Sequence, residues 1–429
     1  MSGKVVGVLG GLRVLDLTFY LPGPYATLFL ADLGAEVIKV ENPAGGDPLR
    51  GLGPEGGSPA GSVFFQAINR NKKSVTLDLK DPQGRDLLLR LARTADAVLE
   101  QYRPGVAKRL GIDYEALRQV NPKLAYVSLS GYGQTGPRRH EAGHDINYMA
   151  RSGLLSLFGD EEETGGRGCP RLPLPPIQIA DLNGGNLAAL ALLAGMLSAR
   201  VTGQGSYVDV SMTDGLLALM SMTAANYLAA GGQPPERSNL FLAGGEPFYN
   251  VYLTADGRFL SVGALEPKFW ANLCEILAEH DPEEKGAGAI GASREEAARV
   301  FATKESDEWL RLLDGRDVCV APVLTVAEAL ASDLVAERGM VVETEPPGDG
   351  TVGRGGEGKG YRQIGSPLAV KRAGEPDGRE RKVAEPGGAA RHSTPRPAPG
   401  LGEHNREVLL SLGLSEDNLK VLVARGVIV

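Results

Sequence analysis

Residues 30–41 read Leu-Ala-Asp-Leu-Gly-Ala-Glu-Val-Ile-Lys-Val-Glu, and this stretch decides the fold. The apolar residues from Ala26 to Leu33 predict a helix, and Gly34 stands where helices commonly end on a left-handed residue. Glu36 to Glu41 then predicts a strand. A helix that leads so quickly into a strand is typical of a chain that alternates between the two.

The segments on either side continue this alternation. Arg13 to Leu17 predicts a buried strand, and Pro22-Gly23-Pro24 is expected to break the chain before the helix. Further along, residues 81–94 have helical leucine spacing, residues 96–100 and 124–130 predict strands, and helical segments lie near 104–120. This order indicates an α/β fold with a parallel, doubly wound sheet.

The second half of the chain predicts a further block and a smaller mixed domain. The apolar run 187–199 predicts a core helix that is too short to span a bilayer. Residues 207–210 predict a strand, and Asp214 begins an apolar helix. Residues 249–254 and 259–262 predict a hairpin with Asp256-Gly257 at its turn. Helices follow at 267–279 and 294–313, a Gly, Pro and Arg-rich stretch covers 345–400, and closing helices occupy 406–412 and 416–424.

The predicted domains follow from these elements. They are a large domain at 1–225, a small domain at 226–340, a linker at 341–400 and C-terminal helices at 401–429 that return to the large domain. With 429 residues, two domains are also the expectation from length alone.

Composition limits the binding partners and the cellular compartment that we expect for this chain. The formal net charge of −8 argues against nucleic acid as the main partner. Three widely spaced cysteines, Cys169, Cys274 and Cys319, fit neither a metal site nor a disulfide framework, so a reducing compartment is expected. No targeting or membrane-spanning segment is predicted, and we expect a cytoplasmic protein.

A histidine and a carboxylate are the candidate catalytic groups. His144 lies in Gly143-His144-Asp145-Ile146-Asn147-Tyr148, and Asp181 follows downstream. Two such groups facing one carbon can move a proton from one face to the other. Taken singly, each has a plainer interpretation: His144 as a surface histidine, and Asp181 as the N-cap of a helix whose free N–H groups would stabilise an anionic oxygen.

Ordered segments along nearly the whole chain resemble the class III CoA-transferase (CaiB/BaiF) family, which includes the α-methylacyl-CoA racemases. They are residues 30–41, Asn69-Arg70-Asn71-Lys72-Lys73-Ser74, Tyr102-Arg103-Pro104-Gly105-Val106, Ser130 to Pro137, Asp181 with Gly184-Gly185, Gly244 to Tyr249, and Gly402-Glu403-His404. The racemase branch is matched by residues 143–148, 262–267 and 317–324, and racemases carry a histidine at the position of His144.

This resemblance implies an architecture and a set of roles. The expected fold is a large Rossmann-like CoA-binding domain plus a smaller mixed α/β domain in an interlocked homodimer. His144 and Asp181 would exchange the α-proton of a 2-methylacyl-CoA thioester. Glu266 would orient the histidine, with helix capping as its plainer role, and Asp145 would tune or hold the loop.

The substrate's CoA moiety calls for cations and backbone donors. The resemblance places it near two clusters and one aromatic wall, namely Arg70, Asn71, Lys72 and Lys73, then Arg103, Lys108 and Arg109, and Tyr148. Asn42 departs from the basic residue common in the family, which leaves the phosphate contacts open. No permanently bound cofactor and no metal is expected, since no dinucleotide fingerprint, phosphate loop or metal-ligand spacing occurs.

Two alternatives to a racemase stay open. In CoA transfer between carboxylic acids, Asp181 would attack the thioester and form a mixed anhydride. That reaction requires no second base, so His144 discriminates between the two. The other alternative, a non-catalytic acyl-CoA-binding protein, gives no purpose to a histidine paired with an aspartate.

Overall fold

The computed structural model describes residues 7–58, 60–159, 164–165, 169–170, 172–235, 240–281, 293–345, 360–370 and 394–429. The chain forms two compact units. The first unit comprises Met1–Ser152, Pro175–Leu219 and Asp333–Val429, and the second comprises Gly153–Leu174 and Met220–Ser332. Most of the sequence-predicted linker, residues 346–359 and 371–393, lies outside the described residues.

The strands are short and are numbered in chain order. They are β1 Arg13–Leu17, β2 Glu36–Glu41, β3 Glu55–Ser58, β4 Gly61–Ser62, β5 Lys73–Thr76, β6 Ala97–Glu100, β7 Ala125–Ser130, β8 Thr164–Gly165, β9 Cys169–Pro170, β10 Ser206–Ser211, β11 Tyr249–Leu253, β12 Phe259–Gly263, β13 Val320–Pro322, β14 Val341–Glu343 and β15 Arg362–Ile364. Strand β15 falls inside the stretch predicted as a linker, where it pairs with β14, so that part of the linker prediction is wrong.

The helices are numbered in the same way. They are α1 Pro22–Asp32, α2 Val63–Asn69, α3 Pro82–Ala92, α4 Val106–Leu110, α5 Tyr114–Val120, α6 Asp145–Ser152, α7 Ile179–Thr202, α8 Met212–Leu219, α9 Ser221–Ala229, α10 Pro267–Glu279, α11 Arg294–Phe301, α12 Ser306–Leu313, α13 Val326–Ala331, α14 Asp333–Glu337, α15 Asn405–Ser411 and α16 Glu416–Ala424. Single 3₁₀ turns occupy Pro48–Gly51 and Leu154–Leu157.

A six-stranded parallel sheet forms the centre of the first unit. Its strand order is β10-β7-β6-β1-β2-β5, and every neighbouring pair is parallel. The chain runs outward from β1 to one edge, then returns and continues from β6 to the other edge. This is the doubly wound order whose ligands bind outside the carboxyl ends of the strands, where the winding reverses between β1 and β6. The predicted parallel α/β sheet is confirmed.

Helix α1 begins earlier than its sequence suggests. Pro22-Gly23-Pro24 was expected to break the chain, yet these residues form the first turn of α1. Proline is tolerated there because the first N–H groups of a helix have no intrahelical partner. At the other end, Gly34 has φ of +96°, which is the left-handed conformation predicted for it.

Helix α7 packs closely on the sheet. Among the described helices it alone is long and apolar enough to span a membrane by length and composition, and 44% of its apolar window is buried. A Cβ atom on Gly184 would lie 2.6 Å from Met212, and one on Gly195 would lie 2.8 Å from Ala125. These close approaches explain why α7 extends through Gly184 and Gly185, which the sequence places at a helix start.

The C-terminal segment covers the sheet edge formed by β5. The backbone of Ser74 donates to Nδ1 of His404 at 3.3 Å and accepts from the His404 amide at 2.9 Å. The side chain of Asn405 accepts from the Thr76 amide at 2.8 Å, and the Val427 carbonyl accepts from the Asp78 amide at 2.9 Å. These contacts satisfy backbone groups that an edge strand would otherwise expose.

The second unit has its own core around a three-stranded sheet. Strands β11 and β12 form the predicted hairpin with Asp256-Gly257 at its turn, and β12 pairs with β13. The rings of Phe301 and Trp309 are fully buried. The helical stretch predicted at 294–313 is two helices, α11 and α12, because the chain turns between Ala302 and Glu305.

Candidate functional site

The carboxyl edge of the parallel sheet brings several candidate residues together. Tyr20 follows β1, Arg103 follows β6 and Tyr132 follows β7. Because carboxyl ends of parallel strands lie on one edge, these residues share the crevice where the winding reverses. Tyr20 was not among the residues proposed from sequence, although its position just after a central strand was the available signal.

His144 lies at the start of α6 within this edge. Its backbone amide donates to Oδ1 of Asn147 at 3.0 Å, and its carbonyl accepts from the Asn147 amide at 2.8 Å. These reciprocal bonds hold the first turn of α6. The side chain is exposed, and its ring stands edge-on to Tyr20 with centroids 6.3 Å apart. An exposed imidazole in the crevice is available to a substrate.

Asp181 lies in the first turn of α7, but it does not cap that helix. The cap position belongs to Gln178, which makes no side-chain capping bond. Instead, Oδ1 of Asp145 accepts from the amides of Ala180 at 2.6 Å and of Asp181 at 3.1 Å. The predicted N-cap role of Asp181 is therefore wrong. The amide of Leu182, the residue after Asp181, donates to the Gln178 carbonyl at 3.0 Å, so the expectation of a free N–H group directly after Asp181 is also wrong.

Asp145 therefore links the two candidate catalytic groups. It is the residue after His144 and it binds the backbone of Asp181. Burial, with a further contribution from the charge of Asp145, raises the pKa of Asp181 to about 7. Burial also raises the pKa of Asp145 itself. Near neutral pH both protonation states of Asp181 are accessible, as an acid–base catalyst requires.

Tyr148 forms a buried wall beside these groups. Its hydroxyl donates to the carbonyl of Gly143 at 2.5 Å, and its ring lies 5.1 Å from that of Tyr132. A Cβ atom on Gly131 would lie 2.2 Å from the Tyr148 ring, so only glycine fits there. Burial and the nearby charge of Asp181 raise the pKa of Tyr148 to about 12, which keeps it protonated. Its predicted contact with the acyl or pantetheine chain stays a prediction.

The basic cluster at residues 70–73 is engaged within the first unit. Arg70 is buried, pairs with Asp32 at 2.6 Å and donates to the Ile364 carbonyl. Asn71 also donates to Asp32, and Lys73 bridges Glu36 and Glu407. Lys72 is fully buried, with three oxygen acceptors. CoA binding by this cluster stays a prediction, and a phosphate would have to compete with these contacts.

The second basic cluster is exposed. The side chains of Arg103, Lys108 and Arg109 are all exposed. The positive charge of Arg103 is close enough to Tyr148 to offset a small part of the rise in the pKa of Tyr148. Within the described part of the chain, no ion pair to these three side chains is found. Their guanidinium and ammonium groups are free to bind an anion, which keeps them candidates for the CoA phosphates.

The first turn of α1 contributes no phosphate site of the dinucleotide type. Pro22 and Pro24 have no N–H group, and the amide of Gly23 donates to Oε1 of Gln101 at 3.1 Å. A dinucleotide-binding helix needs these amides free for the pyrophosphate. The sheet has the order of a dinucleotide-binding fold, but this turn lacks the chemistry.

Glu266 belongs to the second unit. It occupies the N-cap position of α10 without a side-chain capping bond. Its predicted role in orienting His144 stays a prediction.

A family model decides the relationship. The model of CoA-transferase family III matches residues 9–379, which include the sheet and every candidate site residue. The chain belongs to CoA-transferase family III.

The relatives of this family III chain include two kinds of enzyme. Alpha-methylacyl-CoA racemase of Mus musculus is 35% identical over 417 residues, covering 96% of this chain and 95% of the racemase. Succinyl-CoA:glutarate CoA-transferase of Mus musculus is 32% identical over 434 residues, covering 98% and 90% of the two chains. A CAIB/BAIF family protein from Brucella suis has a TM-score of 0.74 at 26% identity, covering 95% of this chain and all of that one.

Proposed function

We propose that this family III enzyme racemises 2-methylacyl-CoA thioesters by two-base transfer of the α-proton. The observation that carries the proposal is the bond from the Asp181 amide to Asp145, the residue next to His144, together with a pKa of about 7 for Asp181. The racemase of Mus musculus, which covers 96% of this chain, supports the same reaction class.

The proposed reaction uses each group once in each direction. Neutral His144 accepts the α-proton, and the electron pair left behind forms an enolate whose charge lies on the thioester oxygen. Protonated Asp181 then donates its proton to the opposite face of the carbon. In the reverse direction the Asp181 carboxylate is the base and the imidazolium of His144 is the acid. CoA enters as part of the substrate, and no resident cofactor takes part.

CoA transfer between carboxylic acids is the second candidate, favoured by the transferase relatives. Here the Asp181 carboxylate attacks the thioester carbonyl, CoA leaves as the thiolate, and a mixed anhydride forms on Asp181. The CoA thiolate then attacks the Asp181 carbonyl of the anhydride, which releases the donor carboxylate and leaves Asp181 as a thioester of CoA. An acceptor carboxylate attacks this thioester and the thiolate leaves again. Attack of the thiolate on the acceptor carbonyl forms the new acyl-CoA and restores the Asp181 carboxylate. His144 has no required role in this reaction.

Heavy water distinguishes the two reactions. We expect the enzyme to incorporate deuterium at the α-carbon of a single 2-methylacyl-CoA stereoisomer and to convert it to an equal mixture of both, with no acceptor acid present. Mass spectrometry and chiral chromatography follow the two changes. CoA transfer to added succinate or glutarate without α-deuteration would make the transferase the correct assignment.

We also propose a cytoplasmic homodimer that acts on acyl-CoA and binds neither nucleic acid nor membrane. Helix α7 supports the dimer, because Leu190, Leu197 and Val201 on one face are 63%, 64% and 78% exposed. An apolar helical stripe of this kind is a common protein interface. By analytical ultracentrifugation we expect a dimer at micromolar concentration.

The variant Leu197→Glu tests this interface, because it places a charge in the stripe. We expect it to sediment as a monomer. Val421→Glu is the matched control, since Val421 is 54% exposed on α16 of the same unit. A monomeric wild type would contradict the dimer, and a wild type that associates only with lipid vesicles would contradict the absence of membrane binding.

A further inference from the structure

Four charged residues lie in the core beneath the loop that joins β1 to α1. Asp16 and Lys72 are fully buried and pair at 3.1 Å, while Lys39 and Asp47 pair at 3.0 Å with almost no exposure. Burying a charge is costly, and buried pairs often stabilise a fold no more than apolar residues would. The placement of two pairs at one point therefore calls for another reason than stability.

Each of the four residues binds the loop that follows β1. Lys39 donates to the Thr18 carbonyl at 2.7 Å, and Asp16 accepts from the Thr18 amide at 3.0 Å. Asp47 accepts from the Tyr20 amide at 3.0 Å, and Lys72 donates to the Pro24 carbonyl at 2.8 Å. The four charges thus hold both ends and the middle of residues 18–24.

The centre of this loop is strained and faces the candidate site. Tyr20 has φ of +58°, a conformation that bulky residues rarely adopt. Its ring is the aromatic neighbour of His144. Such strain persists only where surrounding contacts enforce it, and it is concentrated at functional sites. The bond from the Tyr20 amide to Asp47 is one contact that holds this residue in place.

The charges of the four residues support the same interpretation. Burial alone would raise the pKa of Asp16, but the ammonium groups of Lys72 and Lys39 outweigh it and hold that pKa well below its usual range. Burial lowers the pKa of Lys72 to about 8, so it stays mostly charged at neutral pH. Asp16 and Lys72 therefore keep the charged, hydrogen-bonded form that holds the loop.

We propose that Asp16, Lys39, Asp47 and Lys72 are positioning residues that fix residues 18–24, and through them Tyr20, against His144. This rests on the proposed function only in taking His144 as catalytic. It gives Lys72 a role other than the CoA contact expected from sequence. A misplacement of about 1 Å at a reacting group can lower a rate by about 10²-fold, which is the scale such positioning controls.

Three variants test the proposal, each measured by hydrogen exchange of the amides of residues 18–21 and 23, by turnover and by the denaturant midpoint. Lys72→Met removes the donor to Pro24. Asp16→Asn combined with Lys72→Met removes both charges of one pair while leaving an oxygen acceptor for Thr18. Leu409→Ala is the control, because Leu409 is fully buried in α15 and its loss destabilises the same unit.

We expect Lys72→Met to lower the midpoint, to speed exchange of the loop amides by about 10-fold or more, and to lower turnover by about 10–100-fold, as loss of a supporting contact does elsewhere. The double variant should recover most of the midpoint, because no unpaired charge is left, but neither loop protection nor turnover. Leu409→Ala should lower the midpoint and leave loop exchange and turnover unchanged under native conditions.

Other results would overturn the proposal. If the double variant regains turnover with its midpoint, the charges serve stability alone. If Lys72→Met weakens binding of free CoA while loop exchange is unchanged, Lys72 contacts CoA directly. Hydrogen exchange needs no reaction. If the wild type proves to be a transferase, turnover does not report on His144, and protection of the loop amides alone supports or overturns the positioning proposal.

Discussion

Replacing Asp181 with alanine should abolish catalysis in both candidate reactions. The carboxyl group is an acid–base catalyst in racemisation and the nucleophile in CoA transfer. Asp181 is the only carboxylate in α7, so no neighbouring residue of that helix can replace it. Loss of one proton-transfer group costs about 10²–10⁴-fold in rate. Turnover of a 2-methylacyl-CoA, measured by α-deuteration and by CoA transfer, should fall by that amount.

A matched control separates this loss from general damage. Asp214 also lies in the first turn of a helix, α8, and Asp214→Ala should keep near-wild-type turnover. Affinity for free CoA should change little in both variants, because the proposed role of Asp181 is at the acyl group and not at the phosphates. Near-full turnover in Asp181→Ala would remove Asp181 from the site.

The variant Asp181→Asn adds a pH-dependent test in the same molecule. The pKa of Asp181 rises from 3.8 unfolded to about 7 folded. Between these values the unfolded chain has released a proton that the folded chain still holds, so wild-type stability falls as pH rises through this window. Asparagine does not ionise, so the Asp181→Asn variant does not lose stability in this way. At pH 8 we expect Asp181→Asn to be more stable than wild type by about 1–3 kcal/mol, and the difference to vanish near pH 4.

Replacing His144 with alanine should suppress racemisation by about 10²–10⁴-fold, because one face of the α-carbon then has no proton-transfer group. CoA binding should remain nearly intact, since the imidazole contributes to proton transfer and not to the phosphate contacts. The two stereoisomers should be monitored separately, because each depends on a different first base. His140 is an exposed histidine four residues earlier, and His140→Ala is the control.

The variant His144→Ala also shows whether the protein is a CoA-transferase instead. A transferase would retain movement of CoA from donor to acceptor in His144→Ala, since Asp181 alone carries the covalent step. The wild type would then show no α-exchange. That pair of results would contradict the racemase proposal, and the remaining motifs of the sequence would not restore it.

Local signals in the sequence were sufficient for several elements of the fold. Gly34 marked a helix end, and Asp256-Gly257 marked a hairpin turn, because each depends on the conformation of one or two residues. Pro22 was misjudged as a break, and Gly184 as part of a helix start, for the opposite reason. Both residue types disfavour a helix interior in isolation, while the position of Pro22 and the packing of Gly184 on Met212 make each acceptable here.

The sequence indicated which residues belong to the candidate site better than it indicated how those residues contact one another. Resemblance pointed to His144 and Asp181, but the cap on α7 comes from Asp145, more than thirty residues earlier in the chain. A capping signal is local, so sequence assigned it to Asp181. The burial of Lys72 could not be predicted from its neighbours in sequence. A run of charged residues normally predicts a solvent-exposed face, but Lys72 is buried because it pairs with Asp16, which lies on a strand two positions away in the sheet.

The cover over β5 has a consequence for how this protein is made. The Thr76 amide and its partner Asn405 are 329 residues apart. At a ribosome speed of about 5–20 residues per second, the nascent chain waits roughly 15–65 s between synthesis of the two. Throughout that interval the strand is an open template for pairing with other chains. The segment that closes the strand is thus made long after the strand itself, so removal of that segment would extend a hazard that every copy meets during translation.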